Sequence, residues 1–287
     1  MESKPLVSVL MTSFNREQFI SEAIESVLKS TYPNFELIIV DDRSKDKTVA
    51  IAKSFAEKDS RVKVFINEKN LGDYANRNMA ASYATGEWIM SVDSDDKMNS
   101  DGIEKVLNCM QQFPLAHFGM YHYLGTELKE IQSSAAIRRH LLEKRFLAIG
   151  PGGTIIRRKY FETIKGYPEK YGPANDMYFN LKATSQSSIV MFPFEFHFYR
   201  RHEGQEINNY FSYIYNNYCY MRDALLELNL FLTEKEKKWL SNKNNRRFLY
   251  NISKYFFNTR DFGKVKEAFN KTRFGFKEAL SGIFHLS

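Results

Sequence analysis

Three carboxylates lie within four residues in the segment Val92-Asp93-Ser94-Asp95-Asp96, which directly follows an apolar run. Carboxylates this close repel one another unless a cation holds them together. Magnesium and manganese ions prefer such hard oxygen ligands and complete their coordination with water and phosphate oxygens. The segment therefore predicts a divalent-metal site, and the small Ser94 leaves room for a ligand near the backbone. A solvated acidic turn that caps the next helix is the alternative, and the motif alone does not separate the two.

A second acidic pair, Asp41-Asp42, also follows an apolar run. The Asp42 carboxylate is suited to accept hydrogen bonds from a nucleobase imide or a ribose, although a helix cap would use the same residue type. The sequence has neither a G-x-G-x-x-G motif nor a P-loop. A nucleotide would therefore be held by carboxylates and a metal ion instead of a glycine-rich loop. This pattern argues against dehydrogenases and NTPases.

The elements that must position these acids follow from the alternation of apolar runs and amphipathic segments over the first hundred residues. The pattern predicts strands at 7–11, 36–40, 62–66 and 88–92, and helices at 16–30, 46–56 and 74–84. Such alternation indicates an α/β fold, in which helices cover both faces of a mostly parallel, Rossmann-like sheet. Ligands of open sheets of this kind bind beyond the carboxyl ends of the strands, where both acidic segments fall. Asn15 is predicted to cap the first helix.

The remainder of the chain carries weaker patterns. Helices are predicted at 102–112 and 159–164, a charged helical stretch at 128–146, and strands at 116–123, 154–157 and 189–192. A glycine-rich loop covers 150–153, and 176–185 is a further predicted helix. From about residue 208 onward the pattern is helical throughout.

Composition excludes several classes of protein. Of the 287 residues, 43% are hydrophobic and 26% charged, as in globular domains. The only two cysteines, Cys109 and Cys219, lie far apart in the sequence, so we expect no disulfide framework. A protein of this kind is expected in the reducing cytosol. The N-terminus resembles no signal peptide, and no apolar run approaches the roughly 20 residues that span a bilayer. We therefore expect a cytoplasmic protein.

These segments resemble glycosyltransferase family 2, a family with the GT-A fold that usually inverts the anomeric carbon. Order and spacing agree over the first hundred residues, and more weakly as far as residue 202. The matching segments are Val7-Ser8-Val9-Leu10-Met11-Thr12-Ser13-Phe14-Asn15-Arg16, Glu36-Leu37-Ile38-Ile39-Val40-Asp41-Asp42-Arg43-Ser44, Asn70-Leu71-Gly72, Arg77-Asn78, Gly86-Glu87-Trp88-Ile89, Asp93-Ser94-Asp95-Asp96, Gly152-Gly153, Asn175-Asp176 and Tyr199-Arg200-Arg201-His202.

The resemblance implies a nucleotide diphosphate-sugar donor, often a UDP-sugar, and a Mn²⁺ or Mg²⁺ cofactor. Phe14 is implied to stack on the base, Asp42 to contact it, and Asp93 to face the ribose or the sugar. Asp95 is implied to be the metal ligand that bridges to the diphosphate. The full set of implied donor-binding residues is Thr12, Phe14, Asn15, Asp42, Arg77, Asp93, Ser94, Asp95 and His202.

The resemblance also implies that Asp176 is the catalytic base. The family usually has Glu-Asp at this place and this chain has Asn175-Asp176, a change expected to affect acceptor orientation more than proton removal. A cap for the helix that follows is the alternative role of Asp176. For the whole chain, the alternative to a glycosyltransferase is a non-catalytic nucleotide- or saccharide-binding module on the same fold. A nucleotidyltransferase would need a glycine-rich phosphate loop after the first strand.

The C-terminal region differs from the rest in charge. From Gln205 onward, 14 Lys and Arg stand against 8 Asp and Glu, which accounts for +6 of the net +7. We predict a catalytic domain at 1–204, with donor binding in 1–100 and the acceptor side in 101–204, and a helical region at 205–287. Aromatic residues at helical spacing there are typical of core packing. Basic and aromatic residues together also suit an anionic membrane surface, and hence a lipid-linked saccharide acceptor, on the inner face of a membrane. No nucleic-acid recognition motif accompanies them.

Overall fold

The computed structural model describes residues 4–122, 125–202 and 210–284, which fold around an eight-stranded sheet. The sheet order is β3-β2-β1-β4-β8-β6-β9-β7, and β5 and β10 form a separate two-stranded sheet. The strands are β1 (Val7–Ser13), β2 (Phe35–Asp41), β3 (Val62–Ile66), β4 (Trp88–Ser91), β5 (Lys97–Met98), β6 (Phe118–Tyr121), β7 (Lys129–Ile131), β8 (Thr154–Arg157), β9 (Ile189–Phe192) and β10 (His197–Phe198).

Strands β3, β2, β1 and β4 are parallel neighbours, so their carboxyl ends lie at one edge of the sheet. Strand β8 runs antiparallel between β4 and β6, and β7 runs antiparallel to β9 at the far edge. The mostly parallel α/β sheet predicted from the alternation of elements is confirmed.

The helices cover both faces of the sheet. They are α1 (Ile20–Leu28), α2 (Thr48–Ala56), α3 (Asp73–Ser82), α4 (Gly102–Gln111), α5 (Ser133–Arg138), α6 (Arg158–Thr163), α7 (Asn175–Gln186), α8 (Tyr210–Glu227), α9 (Glu234–Thr259), α10 (Phe262–Thr272) and α11 (Phe276–Phe284). Successive side chains of β2 enter different cores: Ile38 packs with α3, and Leu37 with α1 and α4. This alternation follows from the period of two in a strand that is buried on both faces.

The C-terminal helices share the core on the α3 face. Buried side chains of α8 and α9, such as Tyr218 and Phe248, belong to the same apolar cluster as Ile38. The predicted core packing is therefore confirmed for Tyr218 in α8, whereas Tyr210 at the start of the helix is 56% exposed. The predicted division at 204/205 falls outside the described residues and stays a prediction.

Two local predictions were wrong. Residues 129–131 form strand β7, because they pair with β9 at the sheet edge, and the helix starts only at Ser133. The first helix begins at Ile20, after a turn, and Phe19 occupies its N-cap position without a side-chain cap. Asn15 has a φ of 52° and its side-chain oxygen accepts a hydrogen bond from Lys45 N at 2.8 Å, so it joins two loops instead of capping α1.

In the described part of the chain, no helix combines the length and the apolarity needed to cross a bilayer.

Candidate active site

The acidic segment lies at the carboxyl end of β4, near the middle of the sheet. One oxygen each from Asp93, Asp95 and Asp96 lies within 4.8 Å of the others. The segment is a tight turn, in which Asp96 N donates to Asp93 O at 2.9 Å. Directly after the turn, β5 pairs with β10, and this pairing brings the chain around residue 200 to the acidic turn.

Asp95 is the centre of this cluster and is only 9% exposed. Its Oδ2 accepts a hydrogen bond from Arg16 Nε at 2.9 Å and lies 2.9 Å from His202 Nε2. Arg200 fixes the backbone of the turn, since its Nε donates to Asp95 O and its backbone N–H donates to Asp96 Oδ1, both at 2.9 Å. Two distant segments, the loop after β1 and the chain at 200–202, therefore meet at the acidic turn.

The three carboxyl groups are close together and largely buried, so ionising all of them costs free energy. Burial, together with the smaller effect of the charges of Asp93 and Asp95, raises the pKa of Asp96 to about 7. Burial also raises the pKa of Asp93, against the lowering effect of Arg77, whose Nη2 lies 2.7 Å from Asp93 Oδ1. A divalent cation would remove this cost, because it favours the ionised form of every nearby carboxylate.

The chemistry of these groups fits Mg²⁺ or Mn²⁺. Asp95 offers a hard oxygen ligand, and Asp93 and Asp96 add negative charge close by. The imidazole of His202, already beside Asp95, is a nitrogen ligand that Mn²⁺ accepts. Asp95 and His202 are therefore the residues that would hold the ion.

The loop after β1 lies beside the acidic turn, because its residue Arg16 contacts Asp95. Thr12 lies opposite Val40 in the parallel ladder, and Phe14 at the strand end is 43% exposed, so its ring is free to stack on a planar ligand. Asn15 N donates to Ser44 Oγ at 2.8 Å, which ties this loop to the loop after β2. Ser94 is buried within the acidic turn.

Asp42 is buried, and its carboxylate accepts three hydrogen bonds from the loop after β3. Oδ1 accepts hydrogen bonds from Leu71 N at 2.7 Å and from Asn67 Nδ2 at 2.9 Å, and Oδ2 accepts one from Gly72 N at 2.9 Å. The carboxylate therefore fixes the loop after β3, where Gly72 adopts a φ of 87°. An ionised carboxylate has about four acceptor positions, so one is left for a base. The contact between Asp42 and a base stays a prediction.

Arg77 joins helix α3 to the acidic turn. Besides Asp93, it pairs with Asp73 Oδ1 at 2.9 Å, and its guanidinium lies 5.7 Å from the centroid of the Tyr74 ring. The neighbouring Asn76 donates from Nδ2 to Val40 O at 3.0 Å, which anchors α3 to the end of β2. Arg77 is therefore a buried, fixed cation at this edge of the sheet.

Asp176 lies in the first turn of α7, and the charges of Arg77 and Asp73 act on its carboxylate. Burial is the largest influence and raises its pKa to about 7. Its Oδ1 accepts a hydrogen bond from Met177 N at 2.7 Å, whereas the N-cap position of α7 is Ala174. A carboxylate that titrates near neutral pH is suited to accept a proton from a substrate hydroxyl.

Asn175, where the family usually has an acid, has a structural role. It is buried, and its side-chain oxygen accepts a hydrogen bond from Tyr171 N at 2.9 Å, which fixes the turn before α7. Asn175, in place of the usual acid, therefore stabilises the start of the helix that carries Asp176.

Two residues of the cluster were not singled out from the sequence. Arg16 and Arg200 both stand inside the segments that carry the family resemblance, next to Asn15 and before His202. Their proximity to Asp95 and Asp96 was the missing information, because it depends on pairing between distant parts of the chain.

Solved structures of glycosyltransferases share this fold. Staphylococcus aureus TarS 1-349, solved in complex with UDP-GlcNAc, aligns with a TM-score of 0.72 at 21% identity over 92% of this chain and 79% of that chain. The mannosyltransferase PcManGT from Pyrobaculum calidifontis, in complex with GDP-Man and Mn²⁺, aligns with a TM-score of 0.60 at 12% identity over 100% of this chain and 89% of that chain. The molecule therefore has the GT-A fold of these glycosyltransferases.

The chain belongs to glycosyltransferase family 2, because the model of that family, "Glycosyl transferase family 2", matches residues 8–167. One relative is Escherichia coli WfgD, described as a UDP-Glc:alpha-D-GlcNAc-diphosphoundecaprenol beta-1,3-glucosyltransferase. It is 43% identical over 105 residues, which are 37% of this chain and 41% of the relative. The curated relatives are matched over 21 to 62% of their own lengths.

Proposed function

We propose that this enzyme transfers a sugar from a nucleotide diphosphate-sugar to an acceptor hydroxyl, with inversion at the anomeric carbon. The proposed donor is a UDP-sugar. One observation carries the proposal: buried Arg77 contacts Asp93 of the acidic turn and its charge also lowers the pKa of Asp176, so the acidic turn and the proposed base lie near one another. The UDP-GlcNAc complex of TarS and the UDP-glucose in the description of WfgD support the choice of donor.

The proposed reaction is a single displacement. Asp176 accepts the proton of the acceptor hydroxyl while that oxygen forms a bond to the anomeric carbon. The bond between the anomeric carbon and the diphosphate oxygen breaks, and the nucleoside diphosphate leaves with the electron pair. A divalent ion held by Asp95 and His202 would supply Lewis-acid stabilisation of that leaving group. Inversion follows because the attacking oxygen and the leaving group lie on opposite sides of the carbon.

The residues around the acidic turn have separate proposed tasks in donor binding. The exposed ring of Phe14 stacks on the base, and Thr12 and Asn15 lie on the same strand end and loop as Phe14. The remaining acceptor position of Asp42 reaches the base, and Asp93, fixed by Arg77, faces the ribose or the sugar. Ser94 allows the diphosphate to pass close to the backbone.

We further propose that the acceptor is a saccharide, in particular a lipid-linked one, used for surface polysaccharide or glycolipid on the cytoplasmic face of a membrane. The diphosphoundecaprenol-linked sugar in the description of WfgD supports this class of acceptor. The predicted acceptor side at residues 101–204 contains Asp176, in agreement with its proposed role. A nucleotide-binding module without catalysis is the second candidate, and it would need no base of raised pKa.

The test is release of nucleoside diphosphate from UDP-, GDP- and dTDP-sugars, with Mn²⁺, with Mg²⁺ and with EDTA. Because metal stabilisation is worth several kcal/mol, Asp95→Asn should lower release by about a hundredfold or more. Asp101→Asn is the matched control, since Asp101 lies on the surface in an ion pair with Lys105 and should leave release unchanged.

Calorimetry with UDP and Mn²⁺ separates a missing acceptor from a wrong assignment. Binding without turnover would direct the search to acceptors. The same calorimetry is run with GDP and dTDP. If none of the three nucleoside diphosphates binds, the proposed donor site is refuted.

A further inference from the structure

Helix α9 carries two opposite apolar faces, of which only one packs into the core. Leu240, Phe248 and Ile252 are buried in the core on one side. Trp239, Tyr250 and Phe257 are separated by 11 and 7 residues, which are whole numbers of helical turns, so they form a line on the other side. We call this line of three aromatic residues the α9 stripe.

The α9 stripe is open to solvent along its length. Trp239 is 40% exposed, Tyr250 66% and Phe257 65%. At a rise of about 1.5 Å per residue, the stripe extends over roughly 27 Å. A line of exposed aromatic residues on a helix whose other face already packs has no role in the fold of the described residues, and such surfaces mark interaction sites.

The charge around the stripe has one sign. Residues 237–259 of α9 contain six Lys and Arg and no Asp or Glu. Both ends of the stripe also carry cations against the rings: Lys243 Nζ lies 4.6 Å from the centroid of the Trp239 ring, and the Arg260 guanidinium 5.5 Å from that of Phe257. The partner must therefore offer negative charge and an apolar layer together.

We infer that the α9 stripe docks the enzyme on the surface of an anionic lipid bilayer. Trp and Tyr favour the boundary between headgroups and acyl chains, where an apolar ring and a polar edge are both satisfied. Phe257 would enter the apolar layer, and the basic side chains would contact anionic headgroups, each strengthening binding by about fivefold. A single-stranded nucleic acid requires a basic groove that follows its backbone, whereas the α9 stripe is a ridge.

This inference deepens the proposed function, because a lipid-linked acceptor must be met at a bilayer. It depends on neither donor nor metal, so the two proposals fail separately. The membrane face lies on a helix outside the segment that matches the family, which ends at residue 167.

The test is sedimentation of the full chain with vesicles of phosphatidylcholine alone and of phosphatidylcholine with phosphatidylglycerol. Wild type should bind only the anionic vesicles, and less at high salt. The triple variant Trp239→Ser/Tyr250→Ser/Phe257→Ser should bind at least about tenfold more weakly. The matched control is Leu115→Ser/Leu226→Ser, which removes two highly exposed apolar residues elsewhere and should bind like wild type.

A charge variant, Lys243→Glu/Lys254→Glu, should also lose anionic binding while it keeps the aromatic residues. The far-UV circular dichroism spectrum and the midpoint of thermal unfolding should be the same in all variants, which shows that each is folded. Three results would overturn the inference: no binding of wild type to anionic vesicles at low salt, equal binding by the triple variant, or self-association through the stripe in the absence of vesicles. Displacement from vesicles by single-stranded nucleic acid at equal charge concentration would also overturn it.

Discussion

The titration of Asp176 gives the sharpest quantitative expectation. Burial raises its pKa to about 7, whereas Met177 N–H and the cations Arg77 and Arg145 only partly oppose the rise. A general base works only when it is deprotonated. With a pKa of about 7, roughly one tenth of the enzyme has the ionised base at pH 6 and roughly nine tenths at pH 8. The value of kcat/KM should therefore increase by about tenfold between these two pH values.

The assay is initial-rate release of nucleoside diphosphate at saturating Mn²⁺ across pH 5.5 to 8.5. Saturating metal matters because the pKa of Asp96 is also raised to about 7, and a bound cation keeps that carboxylate ionised throughout. What remains of the pH dependence then comes from Asp176.

The variant Asp176→Asn keeps the shape of the side chain but cannot accept the proton. Its rate should fall by roughly 10²–10⁴-fold, and the residual rate should be flat between pH 6 and pH 8. UDP binding by this variant should be close to that of wild type, since Asp176 is placed on the acceptor side. An increase of about tenfold that persists in Asp176→Asn, or a flat profile in wild type, would refute the assignment of Asp176 as the base.

Three further expectations concern groups around the site. Arg16→Gln removes the cation whose Nε lies 2.9 Å from Asp95 Oδ2. Because a hydrogen bond between charged groups is worth about 1.5–3 kcal/mol, the variant should bind Mn²⁺ about tenfold more tightly in the absence of nucleotide. An unchanged Mn²⁺ affinity, measured by electron paramagnetic resonance, would contradict this expectation. Asp42→Ala leaves buried amides of loop 67–72 without acceptors, so the free energy of unfolding should fall by about 3 kcal/mol in urea denaturation. Fast hydrogen exchange at those amides should accompany the loss. Burial lowers the pKa of His140 from 6.5 to about 3, so its neutral form stabilises the fold above pH 6.5 and that stability is lost as the pH falls. Relative to His140→Gln, which keeps every other titrating group, wild type should lose about 2 kcal/mol of stability between neutral pH and pH 5.

The sheet could be predicted because its signals are local. Strand β3 has the same bounds in prediction and structure, 62–66, since an apolar run between polar turns needs no distant partner to be recognised. Strand β7 was missed because a three-residue strand is defined by its pairing with β9, about 60 residues away, and not by its own composition. The start of α1 was misplaced because the Asn15 side chain bonds to Lys45, 30 residues away, and not to the helix.

The residue types at the acidic turn were visible in the sequence, because metal chemistry requires particular atoms at short spacing. Their surroundings were not. Arg16 and His202 stand 79 and 107 residues from Asp95 in the chain, and only the folded sheet brings them to its carboxylate. The same holds for the pKa values of Asp96 and Asp176, since burial by distant elements is the largest cause of both shifts. Local sequence determined which groups stand at the edge of the sheet, and tertiary packing decided their partners and protonation, because electrostatic interactions depend on distance in space and not along the chain.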